Sequence, residues 1–524
     1  LVLASPREKL LNVEEKVDCN YARYGEDSIK KFGEYVSLVY EEENLEQRMT
    51  NLQIQHQANS LANGLRDLGV KRGDVVAVVL PNGPAVPVAF TAIFKTGAIF
   101  LPIIFALTAY EIRYILEDSQ ANTIITNEEL FPKLQEAAKG LSRVRNFILT
   151  TAGSAPSAAI TLGQILKTSP REFALVPVQA DDLAVLMYTS GTTGSPKGVM
   201  LSHHNIGSNV EAGIPALPTG PTDTMLIPLP LNHIFGLLMV NECNLTGARI
   251  VLHKWFDPKL TLASIGKHNV TQFVGVPTMY IKLAETYDPK IHRIDSIRRF
   301  LCAAAPLSVE TIHLVEAKLA KPLFQGYGLT ETSPTVARQR VGRSRKPGSV
   351  GPAIDGVTIN IFDEDDRKVP AGQVGEICVQ GPNVMKGYLH KEEETRKALK
   401  NGWLHTGDVG YLDADGDLFI TDRKKDLIIR GGENISPGEL EDILYKHPAI
   451  LETAVVGIPD PLYGEEVKAF AVLRQGFSAT EQELINHCLK FTPRFKVPKS
   501  IDFLRELPKN SVGKILKRVL RDLK

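Results

Sequence analysis

The 524-residue sequence predicts an α/β protein. It has a large N-terminal domain of parallel sheets flanked by helices, a β-rich subdomain within that domain, and a small C-terminal α/β domain. Three observations predict this. Short apolar runs alternate with longer helical stretches over the first third, the pattern of strands buried beneath crossover helices. From about residue 338, glycines, prolines and short β-prone runs take over. In the last hundred residues the alternation returns, and at this length more than one core is expected.

The elements follow in chain order. Val75 to Leu80 is an apolar run expected to be a strand. Val88 to Leu107 has the length of a membrane span, but Lys95 sits inside it and Pro102 breaks it. With the preceding run it reads as strand, buried helix, strand. Glu111 to Asp118 and Leu130 to Ala138 are expected to be helices, with strands at Asn122 to Thr126 and Phe147 to Thr150. Further strands are expected at Leu183 to Met187, Thr224 to Ile227, Ala248 to Leu252 and Thr271 to Val274. The β-rich subdomain, about 338–421, holds the runs Thr358 to Phe362, Gly375 to Val379 and Asp417 to Ile420. A charged stretch from Asp422 then leads to Gly431-Gly432, so residues 1–424 and 425–524 are expected to be separate domains. Ser436, Pro437 and Glu439 have the spacing of a capping box opening a helix. Beyond it, Thr453 to Val456, Val467 to Leu473 and Ile501 to Leu504 read as strands.

Composition narrows the function. Hydrophobic residues at 43% and charged residues at 23% are those of a soluble globular chain. Lys plus Arg equals Asp plus Glu at 60 each, so no charge excess draws the chain to nucleic acid. Five scattered cysteines form no Cys-x-x-Cys, and so suggest neither a zinc site nor a disulfide framework. The N-terminal residues are too soon charged for a signal peptide, and the last residues are not Ser-Lys-Leu. A cytoplasmic location is expected, with no transmembrane span and at most a peripheral contact with membrane.

The most informative stretch is Tyr188-Thr-Ser-Gly-Thr-Thr-Gly-Ser-Pro-Lys-Gly198, directly after a predicted strand. Its glycines let backbone N–H groups approach phosphate oxygens, its hydroxyls donate, and its lysine balances charge. It is not a Walker A loop, because Gly191 is followed by five residues before Lys197 and Pro196 precedes that lysine. It resembles instead the signature of the adenylate-forming superfamily, which contains acyl-CoA synthetases, peptide-synthetase adenylation domains and luciferases. The resemblance runs from about residue 64 to residue 517, with motifs in matching order.

The resemblance implies roles residue by residue. Thr189, Ser190, Gly191, Thr192, Thr193, Gly194 and Lys197 would hold the phosphates of ATP, with Thr192 and Glu331 at Mg²⁺. Gln325-Gly326-Tyr327-Gly328 and Thr330 resemble the nucleotide segment, where Tyr327 offers a face to adenine and Thr330 reaches the α-phosphate. Asp408, in Trp403-Leu-His-Thr-Gly-Asp408, would hold the ribose hydroxyls, and Arg423 is a second ribose or phosphate contact. His233, Phe235, Gly236, Ala303 and Ala304 would line the acyl pocket, His233 nearest the reacting carboxylate. Lys514 would bridge the carboxylate and the α-phosphate, and is with Glu331 and His233 the catalytic set. A small, mobile C-terminal domain would swing about Lys425, and Gly431 and Gly432 would line the thiol's path.

The implied activity is ATP-dependent acyl-CoA synthesis through an acyl-adenylate, with ATP, Mg²⁺ and coenzyme A as partners of a small carboxylic acid. No acidic residue lies between Thr224 and Asn241, so an amino acid's ammonium would go unpaired there. An apolar acid is expected, a fatty acid first and an aryl or alicyclic acid second. A non-catalytic binder of the same fold is the reading from another class, and oligomeric state stays open between monomer and homodimer. Two segments depart from the family: Cys302-Ala303 replaces the usual Ser-Gly, adding a methyl expected to narrow the pocket, and Asn51-Leu-Gln-Ile-Gln55 lacks the usual Thr-Tyr near the start of the first helix.

Overall fold

A computed structural model describes residues 20–151, 156, 158–189, 196–510 and 513–523. Among the described residues, two eight-stranded sheets form the large domain. The first runs, in spatial order, Thr335–Arg338, Leu323–Gly328, Arg299–Cys302, Gln272–Gly275, Thr224–Ile227, Arg249–His253, Val36–Glu42 and Leu45–Thr50. The second runs Gly387–Tyr388, Lys197–Ser202, Leu183–Thr189, Ile99–Pro102, Val75–Val78, Thr123–Thr126, Asn146–Leu149 and Ile160–Thr161. The strands Val75–Val78, Ile99–Pro102 and Thr123–Thr126 of the second sheet, and Thr224–Ile227, Gln272–Gly275 and Arg299–Cys302 of the first, are parallel and buried at every position, because helices cover their faces. One apolar core joins Val76 and Val185 of the second sheet, Met225 and Ile227 of the first, and Ile377 and Val379 of the β-rich subdomain.

The apolar stretch of spanning length resolves into the helix Ala85–Lys95 and the strand Ile99–Pro102. Lys95 is fully buried there and its ammonium meets Glu26 at 2.5 Å. Among the described residues no helix is long and apolar enough to cross a membrane. At the start of the first long helix, Thr50 caps Asn51–Asp67 with Gln53, and the Asn51 side chain ties back to Tyr35 and Gly33.

The β-rich sheet spans Ser349–Gly351 to Leu418–Arg423. Two pieces of its predicted range belong elsewhere. Arg338 ends a strand of the first large sheet, and Gly387–Tyr388 returns to pair with Lys197–Ser202 in the second. The C-terminal sheet orders Glu433–Ile435, Ile428–Arg430, Gly464–Leu473 and Ile450–Asp460, with Ser500–Phe503 added in parallel to Gly464–Leu473. Its first helix, Pro437–Tyr445, starts as predicted but with half a capping box. Ser436 Oγ accepts from the Glu439 N–H at 3.2 Å, while the Glu439 carboxylate turns to Lys496 at 2.8 Å instead of reaching back. The same Ser436 hydroxyl donates to Asp422 at 2.7 Å, so the helix start is fastened to the strand that ends at Arg423.

Candidate active site

Open parallel sheets place ligands beyond the carboxyl ends of their strands. In the first sheet those ends deliver His233 after Thr224–Ile227, Val276 after Gln272–Gly275, Ala303 after Arg299–Cys302, and Tyr327 at the end of Leu323–Gly328. Two glycines make the crowding there possible. A methyl at Gly236 would stand 2.4 Å from the Pro230 carbonyl oxygen, and one at Gly328 would stand 1.9 Å from that of Pro334.

The β-rich sheet supplies a carboxylate to this cleft. Asp408 and Arg423 are cross-strand partners, and Arg423 Nε donates to Asp408 Oδ1 at 2.8 Å. Tyr327 donates its hydroxyl to Asp408 Oδ2 at 2.7 Å. Burial and the Asp408 charge push the Tyr327 phenol well above its ordinary range, so it stays a donor. Asp408 is only 3% exposed, yet its carboxylate retains lone pairs for two further hydroxyls.

The phosphate end is described at its two margins. Thr189 and Lys197 face each other across antiparallel strands, and Ser190, Gly191, Thr192, Thr193 and Gly194 lie outside the described residues. Lys197 Nζ stands 5.1 Å above the ring of Tyr388, whose hydroxyl donates to Glu331 Oε1 at 2.9 Å. Burial and Glu331 raise the Tyr388 phenol, keeping it protonated. Tyr388 was not among the expected site residues. It lies far along the chain from Lys197, and only the pairing of Gly387–Tyr388 with the strand after the phosphate loop brings it in. Glu331 sits in the short turn Thr330–Thr332 beside the buried Thr330. Its partner is a neutral phenol, and among the described residues no cation lies in ion-pair range, so its oxygens suit a hard divalent ion. Gln325 is a different case: its side-chain amide donates to the Ser349 carbonyl at 3.2 Å and so stitches the two sheets.

At the acid end, His233 caps the helix Ile234–Thr246 by accepting the Phe235 N–H on Nδ1 at 3.3 Å. That bond leaves the proton on Nε2. Burial first, and then the charge of Lys514, push His233 down to about 4, so the ring is neutral around pH 7. Lys514 comes from the C-terminal turn, where Gly513 packs against Val276 and Thr278. The Lys514 N–H is held by Asn510 Oδ1 at 2.9 Å. Desolvation and Arg423 lower the Lys514 ammonium to about 8, against the opposing pull of Asp408. The structure therefore brings Lys514, His233, Asp408, Arg423 and Tyr327 to one cleft. Ala303 and Ala304 lie partly buried against the same core, and Ala304 has a φ of 71°, a left-handed conformation unusual for a residue with a side chain.

Lys425 follows the Leu418–Arg423 strand and is exposed. It is flanked by Lys424, whose N–H bonds the Gly407 carbonyl, and by Asp426, which pairs with Arg521 at 2.8 Å. Gly431 and Gly432 turn between Ile428–Arg430 and Glu433–Ile435, exposed, with φ of 59° and 90°.

A pH dependence follows. The free protein's Lys514 loses its proton as pH rises through about 8, and the catalytic role expected of it needs the ammonium. The kcat/KM for acid-dependent ATP–pyrophosphate exchange is expected to fall above that pH. The limb should move up by a unit or more in Lys514→Arg, because a guanidinium does not titrate there. A pH–rate profile of both proteins checks this, and an unmoved limb assigns it to another group.

Two family models match the chain. The AMP-binding enzyme model covers residues 25–389, and the model of the AMP-binding enzyme C-terminal domain covers residues 439–514. A long-chain-fatty-acid–CoA ligase of Bacillus subtilis is 38% identical, over 88% of this chain and 88% of its own. A feruloyl-CoA synthase of an Amycolatopsis species is 37% identical, over 90% and 93%. The crystal structure of ATP-bound MatB from Rhodopseudomonas palustris superposes with a TM-score of 0.89 at 29% identity, over 96% of this chain and 98% of that one. The chain belongs to the AMP-binding enzyme family, among its carboxylate–CoA ligases.

Proposed function

We propose that the chain is an ATP-dependent acyl-CoA synthetase for an apolar carboxylic acid, a fatty acid first and an aryl acid second. The observation that carries the reading is the arrival of Lys514 beside His233, Asp408 and Arg423, where among the described residues that ammonium has no ion-pair partner. In the first step the acid's carboxylate oxygen attacks the α-phosphorus of ATP, and the bond to pyrophosphate breaks. Lys514 stabilises the charge between carboxylate and α-phosphate. His233 offers its Nε2 proton to the acid, Asp408 accepts the ribose hydroxyls, and Tyr327, Thr330 and Arg423 surround the nucleoside and α-phosphate. Thr189, Lys197 and the loop between them, with Gly326 and Gly328 nearby, take the phosphates. Glu331 and Thr192 would hold Mg²⁺, which neutralises triphosphate charge.

In the second step the thiol of coenzyme A displaces AMP from the acyl-adenylate. Residues 425–524 swing about Lys425 for this, removing Lys514 and bringing Gly431 and Gly432 to the pantetheine path. The acid's environment is Phe235, Gly236, Ala303 and Ala304. The nearby Glu242 is bound to Arg338 at 2.8 Å with both side chains buried, so it leaves no carboxylate for a substrate ammonium. Similarity to a feruloyl-CoA synthase supports the second reading, and a location in the cytoplasm fits both.

Rates with acetate, hexanoate, benzoate and palmitate test the choice. Palmitate is expected to give the highest kcat/KM, and a benzoate value tenfold above it replaces the fatty acid with an aryl one. Ala303→Gly is expected to favour bulkier acids by about tenfold, the scale of one methylene in a fitted pocket. An unchanged acid profile removes Ala303 from the lining.

A further inference from the structure

The fold brings His405 to Glu376 and Cys378, which joins three residues of metal-binding type. Glu376 and Cys378 lie two apart in the strand Gly375–Gln380 and so project from one face. Cys378 stands opposite His405 in the neighbouring strand Trp403–Leu412. His405 Nδ1 lies 3.5 Å from Cys378 Sγ and 3.3 Å from Glu376 Oε2, and the three donor atoms are all within 4.8 Å of one another. A tetrahedral zinc ion, with bonds of about 2.3 Å to sulfur and about 2.0 Å to nitrogen and oxygen, needs S···N edges of about 3.5 Å and N···O edges of about 3.3 Å. The two observed separations match those edges.

The donor set points to the same class of ion. A thiolate with an imidazole and a carboxylate suits zinc and its neighbours, whereas magnesium and calcium take oxygen donors. A second grouping among the described residues, Glu41, Glu46 and His268, is unsuited. Lys267 already lies 2.6 Å from Glu41 and 2.8 Å from Glu46, and its ammonium fills the cation's place. Beside Cys378, the Lys424 ammonium lies 3.4 Å from Glu376 Oε2, a longer contact than those of Lys267, on a side chain that is 57% exposed. Cys378 is buried, while Glu376 and His405 are partly open to solvent, which gives an ion a route in.

We propose that Glu376, Cys378 and His405 bind a zinc-class divalent cation, with water as a fourth ligand, and that its occupancy acts on nucleotide binding. Binding releases the Cys378 thiol proton to solvent, and the thiolate takes the metal. The link to nucleotide runs through Glu376. Its second oxygen accepts the Gly407 N–H at 3.0 Å, one residue before Asp408, so drawing Glu376 onto a metal strains that turn. This link rests on the assignment of Asp408 to the ribose, whereas the metal site does not.

Cobalt(II) added to the chelator-stripped full-length protein tests the site. One equivalent is expected to give a thiolate-to-cobalt charge-transfer band in the near ultraviolet that zinc displaces. Cys378→Ser should abolish the band, and His405→Gln should weaken zinc binding at least tenfold. Circular dichroism confirms that each variant is folded. Absence of the band in the parent protein, or its survival in folded Cys378→Ser, overturns the site. Zinc should also raise the KM for ATP at least threefold in the parent and not in Cys378→Ser. An unchanged KM in protein that shows the cobalt band overturns the coupling.

Discussion

Lys514→Ala is expected to lower acid-dependent ATP–pyrophosphate exchange by about 10²- to 10³-fold, the cost of removing one preorganised donor from a developing oxyanion. The same variant should convert a supplied acyl-adenylate and coenzyme A to thioester at close to the parent rate, because the proposed swing takes Lys514 out of the cleft for that step. Equal losses in both half-reactions would refute the swing about Lys425. A structural role can be separated from a chemical one by the sign of the stability change. The Lys514 pKa is lowered on folding, to about 8, so the charged form is held less favourably in the folded protein than in the unfolded chain. Its contribution to stability is therefore unfavourable at pH 7 and relaxes as pH rises through 8. Removing the side chain should leave the Tm unchanged or raised, while the exchange reaction collapses.

The parallel sheets were legible because their strands are continuous apolar runs, as in Thr123–Thr126 and Gln272–Gly275, which are buried at every position. The edge strand Leu45–Thr50 was not. Its residues Leu45 to Arg48 are exposed and mostly polar, and the strand exists only because it pairs with Val36–Glu42. The same distinction governs the site. Asp408, His233 and Lys514 sit in local motifs that resemble a family, and the fold brings them together. Tyr388 lies far in sequence from Lys197 and Glu331 and meets them only across a two-residue strand, a contact that no local pattern encodes. Glu376 and Cys378 share a face by strand periodicity alone, but their pairing with His405 depends on register. Hence the scattered cysteines gave no hint of a metal-binding arrangement.

The carboxylate of Asp408 gives the second large effect. Asp408→Asn should raise the KM for ATP and lower kcat/KM by about 10²-fold or more, because hydrogen bonds to a charged acceptor are worth about 1.5–3 kcal/mol each and the proposed contact involves two ribose hydroxyls. Activity alone does not establish that contact, since Asp408 also receives Tyr327 and Arg423, and weakening those bonds also disturbs the cleft. The substrate can be varied together with the residue. The parent should prefer ATP to 2′-deoxy-ATP by about tenfold or more, and Asp408→Asn should show little preference, since the second deletion removes a bond already weakened. Tyr327→Phe removes one donor to the same carboxylate and leaves the carboxylate itself in place, so it should lower activity while keeping the preference for the ribose hydroxyl. If Asp408→Asn retains the parent's full discrimination, the carboxylate orders the cleft through Tyr327 and Arg423 and the ribose is read elsewhere.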